Sequence, residues 1–91
     1  MNTETYKLGA ELDSFNYQQV QDDILAILEK GSSLLLDMAD CHYISSTGLR
    51  VLLYSKKVAA TKGLKVCLKD VGAEVKDVMD VTGFSNFFDY A

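Results

Sequence analysis

Apolar residues recur along three stretches of the chain at intervals of three and four, the spacing that lines one face of a helix. In the first, Val20, Ile24, Ile27 and Leu28 form one stripe, which predicts a helix over about residues 14–30 with Asp13 or Ser14 capping its start. In the second, Leu49, Leu52 and Leu53 are continued by Val58, Ala59 and Ala60, which predicts a helix over about residues 46–62. In the third, Val75, Val78 and Met79 share a face over residues 73–82. Each stretch is followed by a glycine: Gly31, Gly63 and Gly83. Glycine just past the last turn is the commonest helix stop, because it takes the left-handed conformation without a side-chain clash. Phe84, next to Gly83, is placed to pack back on the last turn of the third helix.

A different pattern fills the gaps. The run SLLLDMA (33–39) begins as continuous apolar sequence, as expected of a strand covered on both faces. LKVCLK (64–69) alternates, with Leu64, Val66 and Leu68 inward and Cys67 the exception. ETYKLGAEL (4–12) alternates weakly, and NFFDYA (86–91) suits a short final strand. The order is strand, helix, strand, helix, strand, helix, strand. That alternation predicts an α/β fold with a mostly parallel sheet of four or five strands, right-handed crossovers and about three packed helices. Strand-to-helix loops then gather at the carboxyl ends of the strands, where sites on such sheets lie. Two loops fall there, LDSFN (12–16) and ADCHYISSTG (39–48).

Composition narrows the class. With 91 residues the chain holds one domain, and its 48% hydrophobic and 24% charged residues are ordinary for a globular protein. The start of the chain is polar and acidic, and no apolar run is long enough to span a membrane, so a cytoplasmic location is expected. The net charge of −4 argues against nucleic-acid binding. The charge is uneven, however: between Ser46 and Lys69 lie Arg50, Lys56, Lys57, Lys62, Lys65 and Lys69 and no acid. Such a run is either a solvated face or a docking surface for an acidic partner. Cys41 and Cys67 are the two cysteines, and in a reducing compartment no disulfide is expected. Asp40, Cys41 and His42 are three potential metal ligands, but adjacent residues rarely converge on one ion, so no metal is expected.

Nothing in the chain resembles a catalytic constellation. The one histidine, His42, stands four residues before Ser46, and SSTGL lacks the first glycine of a nucleophile elbow. No phosphate-binding glycine loop is present, and the paired Asp22 and Asp23 read as solvated on the polar side of the first helix. An enzyme is therefore not expected, nor a cofactor. What stands out is SSTG (45–48): three hydroxyls where a helix begins. A capping hydroxyl accounts for one of them, at about 1 kcal/mol. It does not account for three, nor for Gly48 in the first turn, which costs roughly 0.5–1 kcal/mol relative to alanine and permits a close approach to the backbone.

From about Leu8 to the C-terminus the chain resembles a STAS domain of the anti-sigma factor antagonist family. The matching pieces are LGAELD (8–13), LLLDMADCHYISSTGLRVLL (34–53), TKGLKVCL (61–68) and VKDVMDVTGFSNFF (75–88). The resemblance implies one STAS domain over residues 1–91, a non-catalytic partner switch. The unmodified protein binds an anti-sigma factor that is a serine kinase and so frees a sigma factor. The kinase phosphorylates a serine, the complex dissociates, and a metal-dependent serine phosphatase resets it. Carried across, the family's phosphorylated serine falls on Ser46, with Thr47 as the alternative acceptor. Asp13 takes the acidic position beside the phosphosite loop, and Gly48 and Leu49 keep their family identities. Ser45 departs from the family, which usually has aspartate there, and the N-terminal arm is short. Arg50, one turn beyond Ser46, is placed to reach a phosphate on it. The partner-binding surface is thus expected at Asp13, Ser45, Ser46, Thr47, Gly48, Leu49 and Arg50, with no nucleic acid or membrane partner and a monomer as the simplest state. The alternatives are a STAS interaction or scaffold module without a phosphoswitch, or a small enzyme or nucleotide-binding protein.

Overall fold

The computed structural model describes residues 2–91 and carries four parallel strands side by side. They are β1 (Thr3–Lys7), β3 (Ser33–Asp37), β5 (Val66–Lys69) and β6 (Asp89–Tyr90), in that spatial order. The strands between β1 and β5 are joined through α1 (Tyr17–Glu29) and α2 (Ser46–Thr61), and α3 (Ala73–Thr82) leads through a 3-10 turn, Phe84–Phe87, into β6. A second ladder of two parallel strands, β2 (Glu11–Leu12) and β4 (Tyr43–Ile44), stands apart from the main sheet. The mostly parallel α/β architecture expected from the alternation is the one observed.

Several boundaries moved. The weak alternation of 4–12 is not one strand: it breaks into β1 and β2, which belong to different ladders. The first helix starts at Tyr17 and not at residue 14, because residues 13–16 close a turn of their own. In the run 86–91 the 3-10 turn takes the first residues and only Asp89–Tyr90 pair with β5. The sheet is also covered on one face more than the other. Leu34, Leu36 and Met38 are buried, whereas Leu35, between them, is half-exposed and aligns with Thr5 and Cys67. The continuous leucines of β3 therefore do not mark a strand buried on both sides.

The core is one cluster. Ile24 and Leu28 of α1, Leu36 of β3, Leu52 of α2 and Leu68 of β5 are at most 1% exposed. Burying one such side chain is worth about 1.5–3 kcal/mol, so these apolar stripes and strand faces carry most of the cohesion. The glycine stops act as expected. Gly31 and Gly63 have φ of +87° and +70°. The N–H of Gly31 reaches Leu28 O at 3.0 Å and that of Leu64 reaches Ala59 O at 2.8 Å, bonds that consume carbonyls left free at each helix end. At the sheet edge the Tyr6 hydroxyl donates to Asp23 Oδ2 at 2.7 Å and clamps β1 to α1. Asp23 is thus a structural acceptor and not the solvated carboxylate expected. Its neighbour Asp22 is exposed and accepts from Gln18 Nε2 at 3.0 Å.

Candidate functional site

The small ladder brings the two loops together. Leu12 of β2 pairs with Ile44 of β4, so Asp13 and Ser45 leave the ladder at the same level. The Ser45 N–H donates to Leu12 O at 3.0 Å, which fixes the chain immediately before α2. Ser45 is the N-cap: its Oγ accepts the Gly48 N–H at 3.1 Å, and its carbonyl accepts the Leu49 N–H at 2.9 Å. One hydroxyl of the three therefore does the capping. Ser46, the first residue of the helix, is exposed, and Thr47 is half-buried.

Gly48 explains itself from the inside. A Cβ at this position would stand 2.6 Å from Leu12 O and 2.9 Å from both Ile44 Cγ1 and Leu12 Cγ. The close approach that the sequence led us to expect at Gly48 is made by the protein's own β2 backbone. Gly48 and Leu49 are buried against the interior and not on the surface expected of them, which leaves Ser46 and Arg50 as its fully exposed residues.

Asp13 shapes the neighbouring loop. Its Oδ1 accepts the N–H groups of Phe15 at 2.9 Å and Asn16 at 3.2 Å, while Asn16 Oδ1 accepts the Asp13 N–H at 2.9 Å. Asn16 Nδ2 also donates to Glu11 O at 2.7 Å. This reciprocal exchange closes residues 13–16 into a turn ahead of α1, whose N-cap is Asn16 and has no side-chain capping bond, so neither Asp13 nor Ser14 caps the helix as expected. Asp13 thus spends its carboxylate on the N–H groups of the loop before α1. The loop and α2 flank a cleft of about 380 Å³ whose walls include Ser14, Tyr17, Thr47 and Arg50. Arg50 is exposed and forms no ion pair among the described residues. Its side chain shares this cleft with Thr47, and Ser46 is not part of the lining.

The other candidate chemistry does not assemble. Asp40 pairs with Lys7 at 3.2 Å, His42 is exposed, and the buried Cys41 thiol points to Tyr43 O at 3.4 Å, so the three side chains diverge. Burial, the largest effect, raises the Cys41 pKa and keeps the thiol protonated. Of the basic run, Lys56 lies 5.9 Å from the centre of the Phe88 ring and lines an apolar groove with Lys57, Leu53, Phe84 and Phe87, away from the helix start. Sequence reasoning passed over Phe15, which is 96% exposed at the crest of the Asp13–Asn16 turn. An apolar residue between polar ones in a loop was the available signal.

The family model described as STAS domain matches residues 2–90. BtrV of Bordetella bronchiseptica, a candidate anti-sigma factor antagonist, is 33% identical over 86 residues, covering 92% of this chain and 73% of that protein. The anti-sigma-B factor antagonist of Bacillus subtilis is 23% identical over 82 residues, covering 90% of this chain and 75% of that one. Among solved structures, the Bacillus cell fate determinant SpoIIAA in its phosphorylated form superposes with a TM-score of 0.74 at 16% identity, covering 99% of this chain and 83% of that one, a likeness of fold.

Proposed function

The chain belongs to the STAS domain family, among the anti-sigma factor antagonists, and from that premise we propose that it works as a phosphorylation-controlled partner switch. Unmodified, it binds an anti-sigma factor that is also a serine kinase. Phosphorylated on Ser46, it is released, and a metal-dependent serine phosphatase restores it. The chain is one domain, substrate and ligand in this cycle rather than catalyst, acting as a monomer in the cytoplasm. Among the described residues no helix is long and apolar enough to cross a membrane.

The observation that carries this reading is the division of labour among the three hydroxyls. Ser45 is committed to the cap, Thr47 is half-buried, and Ser46 is left exposed on the first turn. A phosphate there adds about −1.5 to −2 charges and three acceptor oxygens. The N-terminal turn supplies unpaired N–H groups and the positive end of the dipole, so the free chain tolerates the added charge. A partner covering the same turn has to desolvate a dianion, and each 1.4 kcal/mol of that cost weakens binding about tenfold. Ser45 in place of the family's aspartate suits the acceptor: the cap is kept and no carboxylate is set beside the phosphate.

The test is the intact mass of the chain after incubation with the anti-sigma serine kinase of the same organism and ATP. One added phosphate is expected, lost in Ser46→Ala and kept in Thr47→Ala. Persistence in Ser46→Ala and loss in Thr47→Ala moves the acceptor to Thr47. Stable binding to the kinase with no phosphate added leaves a STAS interaction module without a switch.

A further inference from the structure

Phe15 is 96% exposed, the most exposed of the large apolar residues among those described, and its loop is hydrogen-bonded. Its N–H donates to Asp13 Oδ1 at 2.9 Å, within the turn that the Asp13–Asn16 exchange closes. Nor does it serve the fold. An apolar residue just before a helix commonly staples onto the fourth helical position, here Val20, and Phe15 at this exposure makes no such contact. The same turn and the helix start after it contribute Ser14 and Tyr17 to the cleft that Thr47 and Arg50 close from the other side, so Phe15 follows one wall residue in the chain and Ser46 precedes another, on two segments held together by the Leu12–Ile44 pairing. A second exposed aromatic, Tyr43, lies on β4 just ahead of Ser45.

We propose that Phe15 is an anchor for the protein partner that covers Ser46: its ring enters an apolar pocket of the anti-sigma kinase while the charged and hydroxyl groups of the α2 start lie beside it. This rests on the partner-switch reading above. Aromatic side chains, phenylalanine among them, are enriched at interfaces because they bury much area with few rotors. The rigid turn removes the cost of ordering the loop on binding. Phosphate on Ser46 then falls within the covered surface beside the anchor, where the cost of stripping its water opposes the affinity that Phe15 supplies.

The experiment measures, by calorimetry, the affinity of the unphosphorylated chain for the purified anti-sigma serine kinase of the same organism, with phosphate uptake read in parallel by intact mass. Phe15→Ala is expected to weaken the complex by about thirtyfold or more, and Phe15→Leu by less, with thermal midpoints unchanged because the ring is outside the free fold. Val81→Ala is the control, since Val81 is 88% exposed at the far end of α3 and is expected to bind as the parent does. If Phe15→Ala binds within threefold of the parent while the parent is phosphorylated on Ser46, the anchor is wrong and the switch stands. If Phe15→Ala loses affinity while no variant takes up phosphate, the anchor stands and the switch falls. If the parent binds no kinase at all, both fall together.

Discussion

Gly48→Ala measures how tightly the start of α2 is seated. In an open helical site the change is favourable, by up to about 1 kcal/mol, because alanine loses less backbone freedom on folding. Here the new methyl would sit 2.6 Å from the carbonyl oxygen of Leu12 and 2.9 Å from two apolar carbons. The nearest obstacle is backbone, and that backbone is engaged: Leu12 O accepts the Ser45 N–H at 3.0 Å. Relief therefore requires the helix start to move off β2 or the β2–β4 ladder to open. Overpacking of this kind costs about 1–3 kcal/mol, and a weakened backbone hydrogen bond adds about 1 kcal/mol. After the propensity gain is set against these, a net loss of about 1–3 kcal/mol is expected, or roughly 5–20 °C in the midpoint of a chain this size. Urea unfolding followed by far-ultraviolet circular dichroism reads it as a lowered midpoint at unchanged slope. Gly9→Ala is the control, since nothing lies within 4 Å of a Cβ there, and its midpoint should stay within experimental error of the parent or rise. A Gly48→Ala protein as stable as the parent would refute the seating described here, and with it the claim that Ser46 is presented from a fixed platform.

Two further outcomes follow from the same contacts. Ser45→Ala removes the side-chain cap on Gly48 N–H and should cost about 1 kcal/mol, or roughly 4–8 °C in a thermal melt, whereas Ser45→Asp should keep the parent's midpoint because carboxylate caps equally well. Tyr6 has its pKa raised to about 12, chiefly by burial and then by its hydrogen bond to Asp23, so its contribution to stability is whole below pH 10 and declines as pH rises from 10 towards 12. After allowance for solvent screening the loss is about 1 kcal/mol, and Tyr6→Phe, measured by urea unfolding across this range, should lose that pH dependence.

The elements that could be read in advance are those whose signal repeats. Val20, Ile24, Ile27 and Leu28 fall on one buried face of α1, and the left-handed glycines Gly31, Gly63 and Gly83 end the three helices where expected. The small ladder could not be read, because two residues per strand are too few to show a period, and pairing of Leu12 with Ile44 is a long-range fact. For the same reason the role of Gly48 was visible only as a need for space. The sequence marks an absent side chain; Leu12, far away in the chain, is what fills the space. The start of α1 was misplaced because Asp13 and Asn16 satisfy each other, and such an exchange competes with helix for the same backbone donors. Of the site, the hydroxyl cluster was legible by type and position, while which hydroxyl caps and which is exposed depends on the rotation of the first turn. That rotation is set by Gly48 packing on β2.

The rotation matters because it separates two uses of the same few atoms. If Ser46 were the cap, its hydroxyl would be engaged with backbone N–H in the folded chain, and modifying it would break a bond worth about 1 kcal/mol each time. With Ser45 as the cap, modification of Ser46 leaves that bond in place. The added charge then meets the positive end of the helix dipole, which offsets part of its repulsion within the free chain. A partner that covers the turn must strip water from the phosphate and gains no such dipole of its own. In the switch proposed above, the free-energy change on phosphorylation would consequently fall on the complex and only weakly on the chain. A carboxylate at position 45 would repel the phosphate in the free and bound states alike, so the neutral serine there lowers the cost of carrying the phosphate and leaves the difference between the two states to the partner's desolvation of it.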